Sequence, residues 1–307
     1  MRLDDYDNDI DVGEAQSGGR GFGGGGGGGG GLLFGLLPLI GSRFGCGGIV
    51  VVLIILAVVG MNPLGLLTGG GSGNAPVTRS ADSSSGQSVR QICEASPERR
   101  DTCRAFSNAD NTWEKIFAES GQRFEAPGLR FFKPGDNSVK SGCGEAQSAV
   151  GPFYCPTDRK IYLDTNFFNE LANRFGAKGD FARYYVVAHE FGHHIQTLLG
   201  TSDKVRQAQQ AAGQAEGNAL SVRLELQADC YAGVWAAKNR DRLEPGDVEE
   251  GMTAARAIGD DTLQREATGR VVPDSFTHGT SEQRMRWLRK GMETGDPAQC
   301  DTFSGAI

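Results

Sequence analysis

The chain is poor in histidine, has no excess of basic residues and contains no Cys-x-x-Cys spacing. Only four of its 307 residues are histidine, so a histidine pair at metal-ligand spacing is informative. Lysine and arginine number 31 against 38 aspartate and glutamate, and the formal net charge is −7. With no basic patch and no nucleic-acid motif, the sequence argues against a nucleic-acid partner. The seven cysteines lack the paired spacing of a cysteine zinc site.

The segment His189-Glu190-Phe191-Gly192-His193 places two histidines four residues apart within a long helical pattern. Positions i and i+4 share one face of a helix, so both imidazoles can bind one metal ion. Glu190 follows the first histidine, where its carboxylate can take a proton from a metal-bound water. The pattern predicts a zinc hydrolase with His189 and His193 as metal ligands and Glu190 as the general base. The alternative is a surface helix that carries histidines by chance.

A tetrahedral catalytic zinc with two histidines and a water needs one more protein ligand. Glu225 and Asp229 lie four residues apart on a second predicted helix, within an otherwise apolar run. We assign Glu225 as the third metal ligand and Asp229 as the acceptor of a hydrogen bond from the non-metal nitrogen of His189. The reverse assignment, with Asp229 on the metal, stays open, and so does the usual exposure of helix acids to solvent.

Two histidines lie outside this pattern. His194 points about a quarter turn away from His193 and is interpreted as structural. His278 lies in a loop before a predicted helix that begins with a capping box, Thr280 and Gln283. A loop histidine above a zinc site could stabilise the oxyanion of a tetrahedral intermediate. A structural hydrogen bond is the alternative role for His278.

Three segments together resemble the bacterial neutral zinc metallopeptidases, a family of single-pass, membrane-anchored proteins. The segments are His189–His194, Glu225–Cys230 and Val272–Ser281. The resemblance extends from about Ala105 to Phe303. The Glu-x-x-x-Asp segment is more distantly similar to that of the gluzincins, in which the glutamate binds zinc and the aspartate supports a ligand. The resemblance therefore implies a zincin-like peptidase that uses Zn²⁺, with Glu225 and Asp229 in those two roles.

An apolar stretch at about 32–67 predicts a membrane anchor. Its core at about 44–61 is long enough to cross a bilayer as one helix. A cleaved signal peptide is disfavoured, because the apolar core begins more than forty residues into the chain and follows an acidic segment. The positive-inside rule favours an internal N-terminus. The catalytic part is then expected on the periplasmic or outer side of a bacterial inner membrane.

Six of the seven cysteines lie outside the apolar stretch, and an even number in an exported domain suggests disulfides. Six cysteines allow fifteen pairings, so the sequence does not determine the connectivity. Local spacing favours Cys93 with Cys103 and Cys143 with Cys155, which leaves Cys230 with Cys300.

The predicted fold class is α+β, mostly helical with a small sheet. We expect four regions: a disordered acidic and glycine-rich tail at 1–31, the membrane segment at 32–67, a flexible linker at 68–88 and the metallopeptidase domain at 89–307. The metal-binding helix is predicted at about 181–199, with Asp180 as its N-cap. Lys160–Leu163 or Ala149–Gly151 could be an edge strand that pairs with an extended substrate, and an ordinary core hairpin is the alternative.

These observations predict a membrane-anchored zinc metallopeptidase that acts on a peptide or protein substrate. Glu190 would take the proton of a zinc-activated water and pass it to the leaving amine. One rival hypothesis is a structural zinc in a binding or chaperone-like envelope protein. Another is hydrolysis of a non-peptide amide or ester.

Overall fold

The computed structural model describes residues 1–18 and 87–307, and this part of the chain has the expected α+β character. The helices are α1 (Val89–Cys93), α2 (Pro97–Glu119), α3 (Asn166–Arg174), α4 (Asp180–Leu198), α5 (Thr201–Ala211), α6 (Gln214–Lys238), α7 (Asp247–Ala257), α8 (Asp260–Thr268) and α9 (Ser281–Thr294). The strands are β1 (Val12–Glu14), β2 (Gln16–Ser17), β3 (Gly128–Phe131), β4 (Ser138–Ser141), β5 (Gly144–Gln147), β6 (Phe153–Cys155) and β7 (Lys160–Leu163).

The strands form two small sheets. The larger sheet has the order β1-β3-β7-β6, with β3 parallel to both β1 and β7, and β6 antiparallel to β7. The smaller sheet is antiparallel and has the order β2-β4-β5. Lys160–Leu163 is therefore an internal strand and not the expected edge, and residues 148–150 form a 3₁₀ turn. The edge beside β7 is Phe153–Cys155.

Helix α4, which carries the two histidines of the motif, is buried along most of its length because α2, α6 and α7 pack around it. Its first residue is Asp180, and the N-cap position belongs to Gly179, whose φ of 106° is one that glycine adopts readily. The prediction of an Asp180 cap is therefore wrong by one residue. The predicted capping box of α9 is confirmed, since Thr280 and Gln283 bond reciprocally.

Glycines bring three helices unusually close together. A Cβ atom at Gly192 of α4 would lie 2.9 Å from the carbonyl oxygen of Ala228 on α6. On the other side of α6, a Cβ at Gly233 would clash with the backbone of α9, and a Cβ at Gly291 of α9 would clash with the carbonyl of Cys230. Helices α4, α6 and α9 therefore pack with their backbones almost in contact, and polar side chains on all three can meet.

The two disulfides that local spacing favours are present in the structure, and so is the third pair that they leave. They are Cys93–Cys103, Cys143–Cys155 and Cys230–Cys300. The third ties the C-terminal residues to α6, beside Asp229.

Residues 1–18 are ordered, so the prediction of a disordered tail is wrong for this stretch. Strand β1 joins the larger sheet and β2 joins the smaller one. Four apolar side chains of residues 1–18 are buried, namely Met1, Tyr6, Ile10 and Ala15. Its acidic composition suggested disorder, but the acids pair with arginines that lie far away in the sequence. The domain therefore consists of 1–18 together with 87–307.

The rest of the predicted tail, the apolar stretch at 32–67 and the linker up to residue 86 lie outside the described residues. Within 1–18 and 87–307, no helix has the length and apolar character needed to cross a membrane.

Candidate metal centre

His189, His193 and Glu225 meet between α4 and α6. One ligand atom from each side chain lies within 4.8 Å of the other two. Nε2 of His189 is 3.2 Å from one carboxylate oxygen of Glu225, and Nε2 of His193 is 3.4 Å from the other oxygen. Two imidazole nitrogens and one carboxylate are a donor set that catalytic zinc takes in proteins, so these residues fit the ion. The structure thus brings together the three residues predicted as ligands.

Asp229 lies behind His189. Its Oδ1 is 2.8 Å from Nδ1 of His189 and accepts a hydrogen bond of 2.6 Å from the Tyr185 hydroxyl, while Oδ2 accepts one of 2.9 Å from Nε of Arg284. Burial raises the pKa of Asp229, but the Arg284 guanidinium and His189 outweigh burial and lower it. Both oxygens are already engaged, which argues against Asp229 as the metal ligand. An anionic acceptor at Nδ1 leaves Nε2 of His189 free to face Glu225.

A neutral amide performs the same task for His193. Oε1 of Gln196 is 2.9 Å from Nδ1 of His193. The Gln196 amide nitrogen donates to the carbonyl of Leu224 at 2.6 Å and to Oε1 of Gln227 at 3.2 Å, which fixes its orientation with the oxygen toward the imidazole. Nδ1 of His193 therefore carries the hydrogen. Gln196 is not among the residues predicted from the sequence, although its position three residues after His193 on the same helix is a usable signal.

The charges at the centre favour a bound cation. Burial lowers the pKa of His189, but the charge of Asp229 and hydrogen bonds to the carboxylates of Asp229 and Glu225 raise it to about 9. Burial raises the pKa of Glu225, yet His193 and His189 hold it well below its usual range. A buried carboxylate facing two imidazoles is therefore ionised, and the cluster takes up either protons or a metal ion.

Glu190 lies beside these ligands on α4, with 7% of its surface exposed. Burial raises its pKa, and the nearby charge of Glu225 adds to this effect, while His193 and His189 oppose it. A carboxyl group whose pKa is shifted upward is better matched to proton transfer near neutral pH than an ordinary glutamate. Both its position and its environment suit the predicted general base.

His278 lies in the loop before α9 and is not one of the three ligand residues. Its Nδ1 is 3.2 Å from Oδ1 of Asp260, and Oδ2 of Asp260 accepts backbone N–H bonds from residues 277, 278 and 279. Burial lowers the pKa of His278, but the charge and hydrogen bond of Asp260 and the charge of Glu225 raise it. The loop is thus held by Asp260, with the imidazole within the electrostatic reach of Glu225. Sequence reasoning pointed to His278 and missed Asp260.

His194 is fully buried and faces away from the ligands. Its Nε2 donates to the carbonyl of Glu125 at 2.6 Å, and its Nδ1 lies 3.1 Å from the Tyr154 hydroxyl. Burial lowers the pKa of His194 to about 4, so the ring is neutral. These contacts agree with the structural role expected for it.

A second acidic group lies at the start of α4, formed by Asp180, Asp247 and Glu250. The α-ammonium group of Met1 is 2.8 Å from Asp247 and 3.1 Å from Asp180. A cation of the protein itself therefore neutralises this group, and we do not interpret it as a second metal site.

The family model described as "Putative neutral zinc metallopeptidase" matches residues 4–303. The chain belongs to this family. It is 46% identical over 268 residues to protein YpfJ of Escherichia coli K12. The aligned residues cover 86% of this chain and 88% of that protein. It is 44% identical over 221 residues to protein Rv2575 of Mycobacterium tuberculosis H37Rv, covering 66% of this chain and 71% of that protein. Both family members are described as uncharacterized, and no solved structure matches the chain.

Proposed function

We propose that this family member is a zinc-dependent peptidase. The observation that chiefly supports the proposal is the position of Glu190, a buried carboxyl with a raised pKa beside two imidazoles and a carboxylate. A purely structural zinc site has no use for a base next to its ligands. This arrangement therefore favours hydrolysis over the alternative of a zinc-stabilised binding protein.

In the proposed mechanism, His189, His193 and Glu225 would hold the zinc ion. When bound, zinc supplies a water of lowered pKa and polarises the substrate carbonyl. Glu190 accepts the proton as the water adds to the carbonyl and delivers it to the leaving amine. His278, held through Nδ1 by Asp260, directs its other ring nitrogen to the negative charge that develops on the carbonyl oxygen.

We propose a peptide or protein in extended conformation as the substrate. In the described part of the chain, β6 is an edge strand of the larger sheet and packs against α4, with the Tyr154 hydroxyl reaching His194. An extended chain that pairs with β6 would run alongside the helix that carries Glu190. We also propose a bacterial membrane location with the domain on the oxidising side, which the three disulfides support.

The test compares the full chain with Glu190→Gln for cleavage of a mixed pool of unfolded proteins, with zinc measured in both. The amide keeps the shape of the side chain but cannot accept the proton, so we expect about one zinc per chain in each protein and a loss of cleavage of at least about 100-fold. Glu216→Gln, at an exposed glutamate of α6, is the matched control.

The outcomes distinguish a zinc peptidase from a zinc-stabilised binding protein. Equal cleavage by Glu190→Gln would remove this residue from the mechanism. Zinc in both proteins with no cleavage of any substrate would favour the binding role, and absence of zinc from both would overturn the metal site.

A further inference from the structure

Residues 1–18 are built into the backbone of the catalytic domain. The backbone N–H of Leu129 donates to the carbonyl of Asp11 at 2.7 Å, and that of Ala15 donates to the carbonyl of Phe131 at 2.8 Å. The N–H of Gly18 donates to the carbonyl of Ser138 at 2.8 Å. The segment thus supplies an outer strand to each of the two sheets. Without it, β3 and β4 would become edge strands.

The domain in turn contains buried cations whose carboxylate partners lie on this segment. Arg99 is 8% exposed and its guanidinium is 3.2 Å from Glu14. Arg130 is 9% exposed and lies 2.8 Å from Asp11. A buried guanidinium that loses its carboxylate is costly, because desolvation is no longer compensated. The segment therefore supplies the carboxylate partners of two guanidinium groups that are largely buried in the folded domain.

The remaining contacts extend along the whole segment. Asp5 pairs with Arg104 at 3.3 Å, and Oδ2 of Asp7 accepts hydrogen bonds of 2.7 Å from both Ser107 and Asn111. These partners all lie on α2, and the Tyr6 side chain between the two acids is buried. Exposed pairs of this kind contribute little individually, but they fix the register of a segment that backbone bonds and apolar burial already hold.

This packing restricts how the chain can be arranged about a membrane. The apolar sequence at 32–67 separates the two parts of the domain. A single crossing would put residues 1–18 and 87–307 on opposite sides of a hydrocarbon layer about 30 Å thick. Hydrogen bonds of 2.7–2.8 Å cannot join strands across that distance. A single-pass arrangement and the observed sheets exclude each other.

We propose that residues 1–18 and 87–307 lie on the same side of the membrane, the oxidising side on which the disulfides form, and this inference rests on the membrane location proposed above. This arrangement replaces the single-pass orientation expected from the sequence. It does not depend on peptidase activity.

The first arm of the test is a cross-link in the full chain in its native membrane. Gln16 of β2 and Lys140 of β4 are directly opposite and both are exposed, so Gln16→Cys with Lys140→Cys can form a disulfide without disturbing the core. Peptide mapping under non-reducing conditions is expected to show the 16–140 link in most chains. The control, Gln16→Cys with Glu216→Cys, joins residues on elements that are not paired and should give none.

The second arm measures sidedness directly. Asn8→Cys and Glu216→Cys, each in a Cys46→Ser background, place single reactive thiols on exposed residues of the two parts. A membrane-impermeant maleimide applied to one side is expected to label both positions or neither. Labelling of the two positions from opposite sides would overturn the proposal. Labelling from one side without the 16–140 link would overturn the docking that it depends on.

Discussion

His189 and His193 face the same glutamate, yet groups of opposite character hold them from behind. Behind His189 lie the buried ions Asp229 and Arg284. Behind His193 lies a neutral amide, Gln196, whose own bonds end on other uncharged groups. Loss of one member of a buried ion pair leaves an uncompensated charge, whereas loss of an amide leaves only unmet hydrogen bonds. Both supports therefore orient an imidazole, but loss of the ionic support is expected to lower stability and zinc affinity more than loss of the neutral one.

The largest effect is expected from Asp229→Asn. The change keeps an oxygen near His189 but removes the charge that compensates Arg284. We expect the affinity for zinc to fall by about 100-fold. We also expect the free energy of unfolding to fall by about 3–5 kcal/mol. Chelator competition and denaturant titration measure the two quantities.

Two further variants test whether charge is the cause. Asp203→Asn removes an exposed carboxylate from α5 and should change neither quantity. Adding Arg284→Gln to Asp229→Asn removes the uncompensated guanidinium, so stability should recover by about 0.5–3 kcal/mol. A double variant as unstable as the sum of the two single variants would contradict the ionic interpretation.

A smaller effect is expected from Gln196→Ala. The imidazole of His193 loses the acceptor at Nδ1, and the carbonyl of Leu224 loses a donor. Because no buried charge is left uncompensated, the affinity for zinc should fall by only about tenfold. The free energy of unfolding should fall by about 1–3 kcal/mol. Gln207→Ala, at an exposed position of α5, controls for removal of a glutamine. If Gln196→Ala matched Asp229→Asn in both measurements, the proposed difference between the supports would be lost.

The smallest effect is a pH dependence in the metal-free protein. The pKa of His189 rises from 6.5 to about 9 in the folded protein because the Asp229 and Glu225 carboxylates outweigh burial. A raised pKa means that the bound proton stabilises the fold fully below pH 6.5 and that this contribution is lost as the pH rises through about 9. The melting temperature of chelator-treated protein should therefore fall by a few degrees over this range. In zinc-loaded protein the ion replaces the proton, and a parallel decline there would argue against His189 as the cause.

The candidate ligand set could be predicted because its spacing is local. His189 with His193, and Glu225 with Asp229, are pairs at i and i+4, so helical periodicity alone places each pair on one face. Predicted cap residues place α4 at 181–199, against Asp180–Leu198 in the structure. The α6 helix was placed correctly around Glu225, although its start at Gln214 lies in a polar stretch that carries no apolar stripe.

Arg284 and Asp260 could not be predicted as supporting residues, because their partners are distant in the sequence. Arg284 reaches Asp229 across 55 positions, and Asp260 reaches the His278 loop across 18. The same limit explains the error at residues 1–18. Their acidic composition is typical of disorder, and only the folded structure shows that Glu14 and other acids pair with arginines such as Arg99, 85 positions away.

Gly192 has a consequence for comparing sequences. A side chain at this position would push against the backbone of Ala228 and force α6, with Glu225 on it, away from the two histidines. The residue directly before His193 in the motif therefore limits how closely the two helices can approach each other. In this chain, a bulky residue here would leave the histidine pair and the Glu-x-x-x-Asp segment intact in the sequence and would still hold their side chains apart in the fold.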